Sequence, residues 1–205
     1  MAQETAAVAG TASQRARRQR ILEVALELLE EREYDRIQIR DVAEAAGVAL
    51  GTLYRYFPSK EQLFAHALLT WSLGFEATVR RGQTRAGADT DVERLRLALR
   101  RAVGAFERHP NFFRLITVLE VVGDPDVVGP FRQYSERVTQ VLADVLVDVH
   151  EDDVPVVSLL AVALLSTLLR GWALGRATIA DVYRQIDAGV DLVFSAPRQR
   201  AAASA

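Results

Sequence analysis

The residues with the clearest potential for chemistry lie in one short stretch, GTLYRYFPSK, which runs from Gly51 to Lys60. This stretch places two phenols, Tyr54 and Tyr56, on either side of Arg55 and close to the lysine. Side chains two residues apart point about 200° away from each other on a helix with ~3.6 residues per turn. At least one phenol should therefore face solvent beside positive charge, where its hydroxyl can bond a phosphate or a base edge.

Residues for catalysis or metal binding are scarce elsewhere in the chain. There is no cysteine, so the sequence offers neither a disulfide framework nor a thiolate metal site. The three histidines, His66, His109 and His150, are scattered, and we find no glycine-rich phosphate loop and no plausible Ser-His-Asp arrangement. The sequence therefore predicts no catalytic residue, no metal site and no cofactor, and it argues against an enzyme.

The spacing of apolar residues predicts an all-α protein of about nine helices. Apolar residues recur at helical spacing almost throughout, and no run of alternating β-branched residues persists. We predict a three-helix helix-turn-helix domain over residues 13–58 and a helical ligand-binding and dimerisation domain over residues 59–196. Residues 1–12 and 197–205 are predicted to be disordered tails.

Several residues mark where these helices begin and end. Gly47 occupies the position after a helix C-terminus, where glycine adopts the left-handed conformation without steric cost. Pro58 ends the third helix, because proline disfavours helical backbone at the residue before it. Ser59 and Thr90 each precede a glutamate or glutamine by three residues, which predicts a capping box. Pro110 is pre-set for the first turn of a further helix.

The second and third helices predict a DNA-binding unit. A tight turn centred on Gly47 would leave the first turn of the third helix free to enter the major groove. There Gly51 allows close approach, Thr52 can form hydrogen bonds, and Leu50 offers apolar contact, for instance with a thymine methyl. Lys60, at the start of the fourth helix, is predicted to bind a phosphate. The arginines that could follow the DNA backbone are Arg15, Arg17, Arg18 and Arg20.

The stretch IQIRDVAEAAGVALGTLYRYFPSKEQLFAHAL, from Ile37 to Leu68, resembles the signature of the TetR family of transcriptional repressors. The resemblance implies a homodimer that binds a palindromic operator in double-stranded DNA. It also implies release of the operator when a small ligand enters the C-terminal domain. The DNA-contacting residues that it implies are Gln38, Arg40, Ala49, Leu50, Gly51, Thr52, Tyr54, Tyr56 and Lys60.

Three positions depart from the usual pattern of the family. The family often has threonine where this chain has Gln38, serine where it has Ala49, and a polar or basic residue where it has Leu50. Base reading is therefore expected to depend more on Thr52, Tyr54 and the arginines. The segments VALGTLYRYFPSK and RATIADVYRQIDAGVDLVF are similar to regulators of steroid catabolism in actinobacteria, which implies a steroid-like or acyl-CoA effector.

Large aromatic residues in the C-terminal half predict a site for a lipophilic effector, because such pockets are mostly apolar. Any one of these rings can also be ordinary core. Arg170 follows an apolar run and either meets an acidic ligand group or pairs with a glutamate. The candidate effector residues are Trp71, Phe75, Phe106, Phe112, Phe113, Phe131, Tyr134 and Trp172.

The last two predicted helices should form a homodimer interface. The eighth, from about Val154 to Leu174, is apolar nearly all round, so we expect it to be buried on most sides. Its most apolar part, Val154 to Leu169, is shorter than the ~18 residues of a membrane span, which predicts a cytoplasmic protein. A helical ligand- or protein-binding module without operator binding remains the alternative to a repressor.

Overall fold

The computed structural model describes the backbone of residues 2–86 and 88–195, and the side chains of residues 12–77, 79 and 88–195. Within these ranges the chain forms nine α-helices and no strand, which confirms the all-α prediction. A short 3₁₀ helix, η1 (Tyr34–Arg36), links the first two helices. The α-helices are α1 (Ala2–Glu31), α2 (Ile39–Ala45), α3 (Leu50–Tyr56), α4 (Lys60–Ala86), α5 (Asp91–Arg108), α6 (Pro110–Leu119), α7 (Pro125–Ala143), α8 (Val154–Ala173) and α9 (Ile179–Ser195).

The start of α1 differs from the sequence prediction. Its backbone is helical from Ala2, whereas the sequence predicted a disordered tail over residues 1–12. The physical reason is composition, because this segment is rich in alanine, the residue with the highest helix propensity. The tail predicted over residues 197–205 lies outside the described residues.

The predicted helix ends are found where the sequence placed them. The Gln62 backbone N–H donates to Ser59 Oγ at 3.1 Å, so Ser59 caps α4. The Thr90 N–H donates to Glu93 Oε2 at 3.1 Å and the Glu93 N–H donates to Thr90 Oγ1 at 3.3 Å, which completes the second capping box. Pro110 is the first residue of α6. Each cap satisfies backbone donors that a helix start leaves unpaired.

The chain divides into two compact packing units. Unit 1 comprises residues 1–77 and 105–138, and unit 2 comprises residues 78–104 and 139–205. Unit 1 thus contains α1 to α3 together with α6, most of α4 and most of α7. These packing units are not the DNA-binding and ligand-binding domains that the sequence predicts. The predicted domain boundary between residues 58 and 59 therefore stays a prediction.

The core of the first three helices follows the sequence pattern closely. Ile21, Leu22 and Leu29 of α1 are fully or almost fully buried. Leu26 and Leu28, which the periodicity also assigned to the apolar stripe, are only half-buried, and Val24 is buried in addition. A helix of this length presents more apolar residues than the two short helices α2 and α3 can cover.

A buried carboxylate organises unit 2. Asp91, at the start of α5, is 5% exposed. It accepts hydrogen bonds from the backbone N–H groups of Val147 at 2.8 Å, Asp148 at 2.8 Å and Val149 at 2.7 Å. The Arg94 guanidinium also donates to this carboxylate, and its Nε donates to the carbonyl of Val145. One acidic side chain therefore holds the connection between α7 and α8 onto α5.

The burial of α8 corrects the sequence prediction. Only one stripe of the helix, including Val157, Ala161, Leu165 and Leu169, is buried. On the other side, Val156, Leu159 and Leu160 are 57%, 64% and 49% exposed. α8 packs against α9, and one neighbouring helix covers one stripe and not the whole circumference. Among the described residues, an apolar face of α8 is therefore left uncovered.

The length of α8 agrees with the prediction, since the helix has 20 residues and ends at Ala173, where the sequence predicted an end near Leu174. Among the described helices, α8 is the one that is long and apolar enough to cross a membrane, by length and composition alone, with a mean hydropathy of 1.9. This is weak support for a membrane span, since the core helices of soluble proteins can be equally long and apolar.

The Asp91 carboxylate makes the stability of the protein depend on pH. Burial by itself would raise its pKa, but the N–H groups of residues 147–149 and the Arg94 guanidinium outweigh burial and hold the pKa below its usual value. A depressed pKa in the folded state stabilises the protein above the unfolded-state pKa of about 3.9, and this contribution is lost as the pH falls.

We therefore expect Asp91→Asn to lower the free energy of unfolding by roughly 1–3 kcal/mol at pH 7, because buried donors lose their charged acceptor. The difference from wild type should begin to shrink as the pH falls below about 4, where the unfolded chain binds a proton at Asp91, and should disappear as the pH falls through the lower folded-state pKa. Denaturant unfolding from pH 3 to pH 7 measures both effects, with Asp126→Asn on the surface as the control. An equal difference at every pH would contradict this role of the charge.

Candidate nucleic-acid interface

The turn between α2 and α3 has the geometry that the sequence predicted for a helix-turn-helix unit. Gly47 has φ of +67°, and it directly follows Ala46, the C-cap residue of α2. The N–H of Val48 donates to the carbonyl of Ala43 at 2.9 Å, and the N–H of Gly47 donates to that of Glu44 at 3.0 Å. This pair of bonds is the Schellman motif that ends a helix at a left-handed residue. The sharp end of α2 lets α3 begin only a few residues later.

Two residues anchor α3 in the core. Leu53 and Phe57 lie four residues apart and are both 0% exposed, as predicted. In contrast, Leu50 is 43% and Tyr54 is 45% exposed, and Tyr56 is half-buried. The two tyrosines therefore point to different sides of the helix, neither of them fully buried. The first turn of α3 and the Tyr54 side chain are free to contact a partner.

The remaining candidates on and next to these helices are also accessible. Ala49, Gly51 and Arg55 are exposed, and Thr52 is half-buried. The sequence analysis noted Arg55 only as a neighbour of the tyrosines. Its position two residues after buried Leu53 points it away from the core, which is the signal that would have identified it.

The start of α2 presents Gln38 and Arg40 to solvent. The Gln38 backbone N–H donates to Asp41 Oδ2 at 3.1 Å, so Asp41 caps this end of the helix. Arg40 Nε lies 3.8 Å from Asp41 Oδ1, so the guanidinium forms an ion pair with this carboxylate at the surface. Surface ion pairs of this kind are weak, so an anion can compete for the arginine.

The arginines of α1 take different positions. Arg17 is exposed, whereas Arg18 is half-buried, with its guanidinium carbon 4.9 Å from the centre of the Phe57 ring. The ring of His66 also lies near Phe57, with the two ring centres 5.6 Å apart. Burial and the charge of Arg18 lower the pKa of His66, so the imidazole is neutral at pH 7. Arg18 thus ties α1 to the end of α3.

Lys60 lies in the first turn of α4, as predicted, but its ammonium is held by η1. It donates to the backbone carbonyl of Tyr34 and lies 3.9 Å from the centre of the Tyr34 ring. The Tyr34 hydroxyl donates to Glu61 Oε1 at 2.8 Å. Burial and this carboxylate raise the pKa of Tyr34, so the phenol keeps its proton. Tyr34 is not among the residues predicted from the sequence, although a large aromatic residue in a polar, helix-breaking stretch signals an anchored residue.

Five of the predicted effector residues form one aromatic cluster in unit 1. The Trp71 ring lies 4.9 Å from the ring of Phe112, 5.3 Å from that of Phe106 and 6.2 Å from that of Phe75. Phe113 lies 5.4 Å from Phe106 in an edge-to-face arrangement. Trp71 is half-buried while the other four rings are buried. The cluster joins α4, α5 and α6, and Trp71 gives it an accessible edge.

The other three predicted effector residues lie elsewhere. Phe131 and Tyr134, on α7 in unit 1, contact each other with ring centres 5.9 Å apart. Burial raises the pKa of Tyr134, which remains a neutral phenol. Trp172 belongs to α8 in unit 2, so the structure does not group it with the cluster.

Polar contacts connect α6 to the end of α1, and the sequence analysis did not anticipate them. The Asn111 side-chain amide donates to the backbone carbonyl of Leu29 at 3.0 Å. Arg114 forms an ion pair with Glu33. The Asn111 bond satisfies one of the carbonyl groups that the end of α1 leaves unpaired. Because α6 also carries Phe112, this helix contacts both the aromatic cluster and the helix-turn-helix domain.

Comparison with known proteins assigns both halves of the chain. Residues 21–67 match the family described as "Bacterial regulatory proteins, tetR family", and residues 88–193 match "Tetracyclin repressor-like, C-terminal domain". The HTH-type transcriptional repressor KstR of Mycolicibacterium smegmatis is 32% identical over 192 residues, which cover 93% of each chain. KstR of Rhodococcus jostii is also 32% identical, over 89% of this chain and 84% of its own.

Solved structures have the same fold. A TetR transcriptional regulator from Rhodococcus sp. RHA1 superposes with a TM-score of 0.70 and 29% identity, covering 88% of this chain and 97% of its own. Thermus thermophilus FadR, solved in complex with lauroyl-CoA, superposes with a TM-score of 0.68 and 21% identity, covering 92% and 98%. Together with the exposed α3 and the family matches, these similarities show that the chain is a DNA-binding transcriptional regulator of the TetR family and not an enzyme.

Proposed function

We propose that this protein is a repressor that binds a palindromic operator as a homodimer and releases it when a lipophilic small molecule binds. One observation carries the proposal: unit 1 holds both an exposed helix-turn-helix face and an aromatic cluster with an accessible edge. A DNA-binding domain alone does not need that cluster. A ligand-binding module alone does not need an exposed α3.

The operator contacts are proposed from exposure, charge and position on the helix-turn-helix unit. Leu50, Thr52 and Tyr54 face the bases, and Lys60 binds a phosphate with the ammonium donors that Tyr34 does not use. Arg17 and Arg18 follow the DNA backbone next to α1. The remaining proposed contacts are Gln38, Arg40, Ala49, Gly51 and Tyr56, with Arg55 added by the structure.

The first test is selection from a random library of DNA duplexes by the purified full-length protein. We expect enrichment of a palindromic site whose half-sites are separated by about one helical turn or a multiple of it, because both copies of α3 must enter major grooves on one face. On the enriched duplex, Thr52→Ala should lower affinity by about 1–3 kcal/mol, with little loss on random DNA.

Failure to enrich any sequence would favour the alternative, a helical ligand- or protein-binding module without operator binding. If Thr52→Ala loses as much affinity for random DNA as for the enriched duplex, Thr52 contacts only the DNA backbone. Thr117→Ala is the matched control, since the hydroxyl of Thr117 bonds within its own helix, α6, to the carbonyl of Arg114.

The dimer interface is proposed on the unpartnered apolar face of α8 and on α9. Leu159 and Leu160 of α8 and Leu192 of α9 are 64%, 49% and 71% exposed. Contiguous apolar surface of this kind on a soluble protein marks an interaction site. A twofold axis would bury it against the same surface of a second copy. This arrangement also accounts for the membrane-like composition of α8 in a cytoplasmic protein.

We expect Leu160→Asp to convert the dimer to a monomer, because a carboxylate would have to be buried in an apolar interface. Operator affinity should fall with it, since two half-sites are then bound independently. Sedimentation velocity measures the mass, and Leu73→Asp, at a leucine of α4 that is 51% exposed, is the control. A dimer that persists at micromolar concentration would argue against this interface.

The effector site is proposed at the aromatic cluster around Trp71. Sites lined by aromatic residues suit steroid-like or acyl-CoA ligands. The similarity to steroid-catabolism regulators in the two quoted segments supports this class, as does the likeness of fold to FadR proteins solved with lauroyl-CoA and stearoyl-CoA. Phe131, Tyr134 and Trp172 remain candidates from the sequence alone.

Two helices provide the route from this site to DNA. α4 carries Trp71 and Phe75, and its first residues are tied to η1 through Tyr34. α6 carries Phe112 and Phe113, and Asn111 ties it to α1. A ligand wedged against the rings would shift both helices and thereby change the separation of the two α3 helices. Moving the operator from nearly full to nearly empty requires about 5 kcal/mol of differential affinity between the two states.

We expect Trp71→Ala to retain DNA binding and to lose the response to effector, because Trp71 is the accessible ring of the cluster. Operator release is titrated with cholestenone-type steroids and with fatty acyl-CoA thioesters, on wild type and on Leu73→Ala as control. If no such compound releases the wild type, the lipophilic effector is wrong. If Trp71→Ala responds normally, the route through the cluster is wrong.

A further inference from the structure

The first turn of α3 lacks the side chains that usually read bases by paired hydrogen bonds. Arginine and lysine recognise guanine in this way, and asparagine and glutamine recognise adenine. The first turn consists of Leu50, Gly51 and Thr52, preceded by Ala49. Since the N-terminal residues of a recognition helix contact the base edges, this helix places chiefly apolar groups there.

The exposed apolar surface on this helix is concentrated at two neighbouring residues. Among the described side chains from residue 12 to residue 59, Leu50 and Tyr54 are the large apolar ones that are exposed, at 43% and 45%. They lie four residues apart and so share one face of α3. The chain keeps this surface in solvent although Leu53 and Phe57 on the same helix are fully buried.

The surroundings of Leu50 and Tyr54 indicate which partner covers them. Arg40 and Arg55 are exposed on the same helix-turn-helix unit, and Arg17 is exposed on α1. Gly51 lies between Leu50 and Tyr54 in the sequence. Apart from its chain neighbours and the backbone of its own helix, no described heavy atom lies within 4 Å of the position that its Cβ would take, so a partner can approach its backbone closely. An apolar strip flanked by cations fits an apolar group lying between phosphates. In the major groove of DNA, that group is the C5-methyl of thymine.

We propose that Leu50, supported by the ring of Tyr54, determines operator specificity by packing against the C5-methyl group of a thymine in each half-site. This inference rests on the proposed repressor function and adds the chemical group that the protein reads. It makes Leu50 the residue that determines which operator this protein selects. The family often has a polar or basic residue at this position.

The expected size of the effect follows from the burial of one methyl group. Each methyl removed from the contact should lower affinity roughly fourfold, and loss from both half-sites should lower it roughly 16-fold if the two contribute independently. The effect should not change the salt dependence of binding, because no phosphate contact is lost.

The experiment uses the duplex enriched from the random library and replaces its thymines by deoxyuridine, one symmetric pair at a time. Deoxyuridine removes only the C5-methyl and retains every hydrogen-bonding group. Fluorescence anisotropy with the full-length protein should show one pair of positions at which affinity falls about 16-fold. Leu50→Ala should bind the thymine duplex more weakly and be indifferent to deoxyuridine at that pair, whereas Leu73→Ala should respond as wild type does.

Two results would overturn the inference while leaving the repressor function standing. One is an enriched operator whose affinity for wild type is unaffected by deoxyuridine at every position. The other is a Leu50→Ala protein that remains as sensitive to deoxyuridine as wild type. If no duplex is enriched at all, the repressor proposal fails, and the thymine contact fails with it.

Discussion

The burial of Leu53 and Phe57 is the constraint on which the DNA-binding face depends. α3 has only seven residues, and these two side chains, one in the middle of the helix and one directly after it, fix its rotation about its own axis. Once they are in the core, Leu50, Tyr54 and Arg55 have no place except the surface. The same anchoring gives Arg18 an aromatic surface to pack on, which joins α1 to the end of α3. A weaker anchor would let α3 rotate and would lose the register of every base contact.

Polar contacts then hold this face to the rest of unit 1. Tyr34 is the centre of one set, since Lys60 and Glu61 from the first turn of α4 both bond to it. Asn111 and Arg114 of α6 form a second set at the end of α1. Hydrogen bonds have narrow ranges of distance and angle, so these contacts fix the position of α4 and α6 against η1 and the end of α1. Four of the five rings of the aromatic cluster lie on the same two helices, α4 and α6, so the proposed effector site is connected to the proposed DNA-contacting residues.

Unit 2 combines a rigid element with an incomplete surface. Asp91 binds three backbone donors in the connection between α7 and α8, just before the start of α8, and Arg94 of α5 also donates to this carboxylate. From that start, α8 buries one stripe against α9 and exposes Leu159 and Leu160. The most apolar helix of the chain therefore exposes a surface that the described part of a single copy does not cover. The proposed twofold partner would cover this surface.

The sequence by itself determined the local features of this protein. Gly47, Ser59, Thr90 and Pro110 mark helix ends because capping depends on neighbouring residues in the chain, and the spacing of Leu53 and Phe57 gives the buried side of α3. The sequence also identified the family from one continuous stretch. Only the tertiary structure decided that Lys60 is held by Tyr34, that Arg18 packs on Phe57, and that Asp91 binds a loop more than fifty residues away. It alone gathered five aromatic rings and placed Trp172 in the other unit. These contacts join residues distant in sequence, and they follow from how helices pack, which local patterns do not encode.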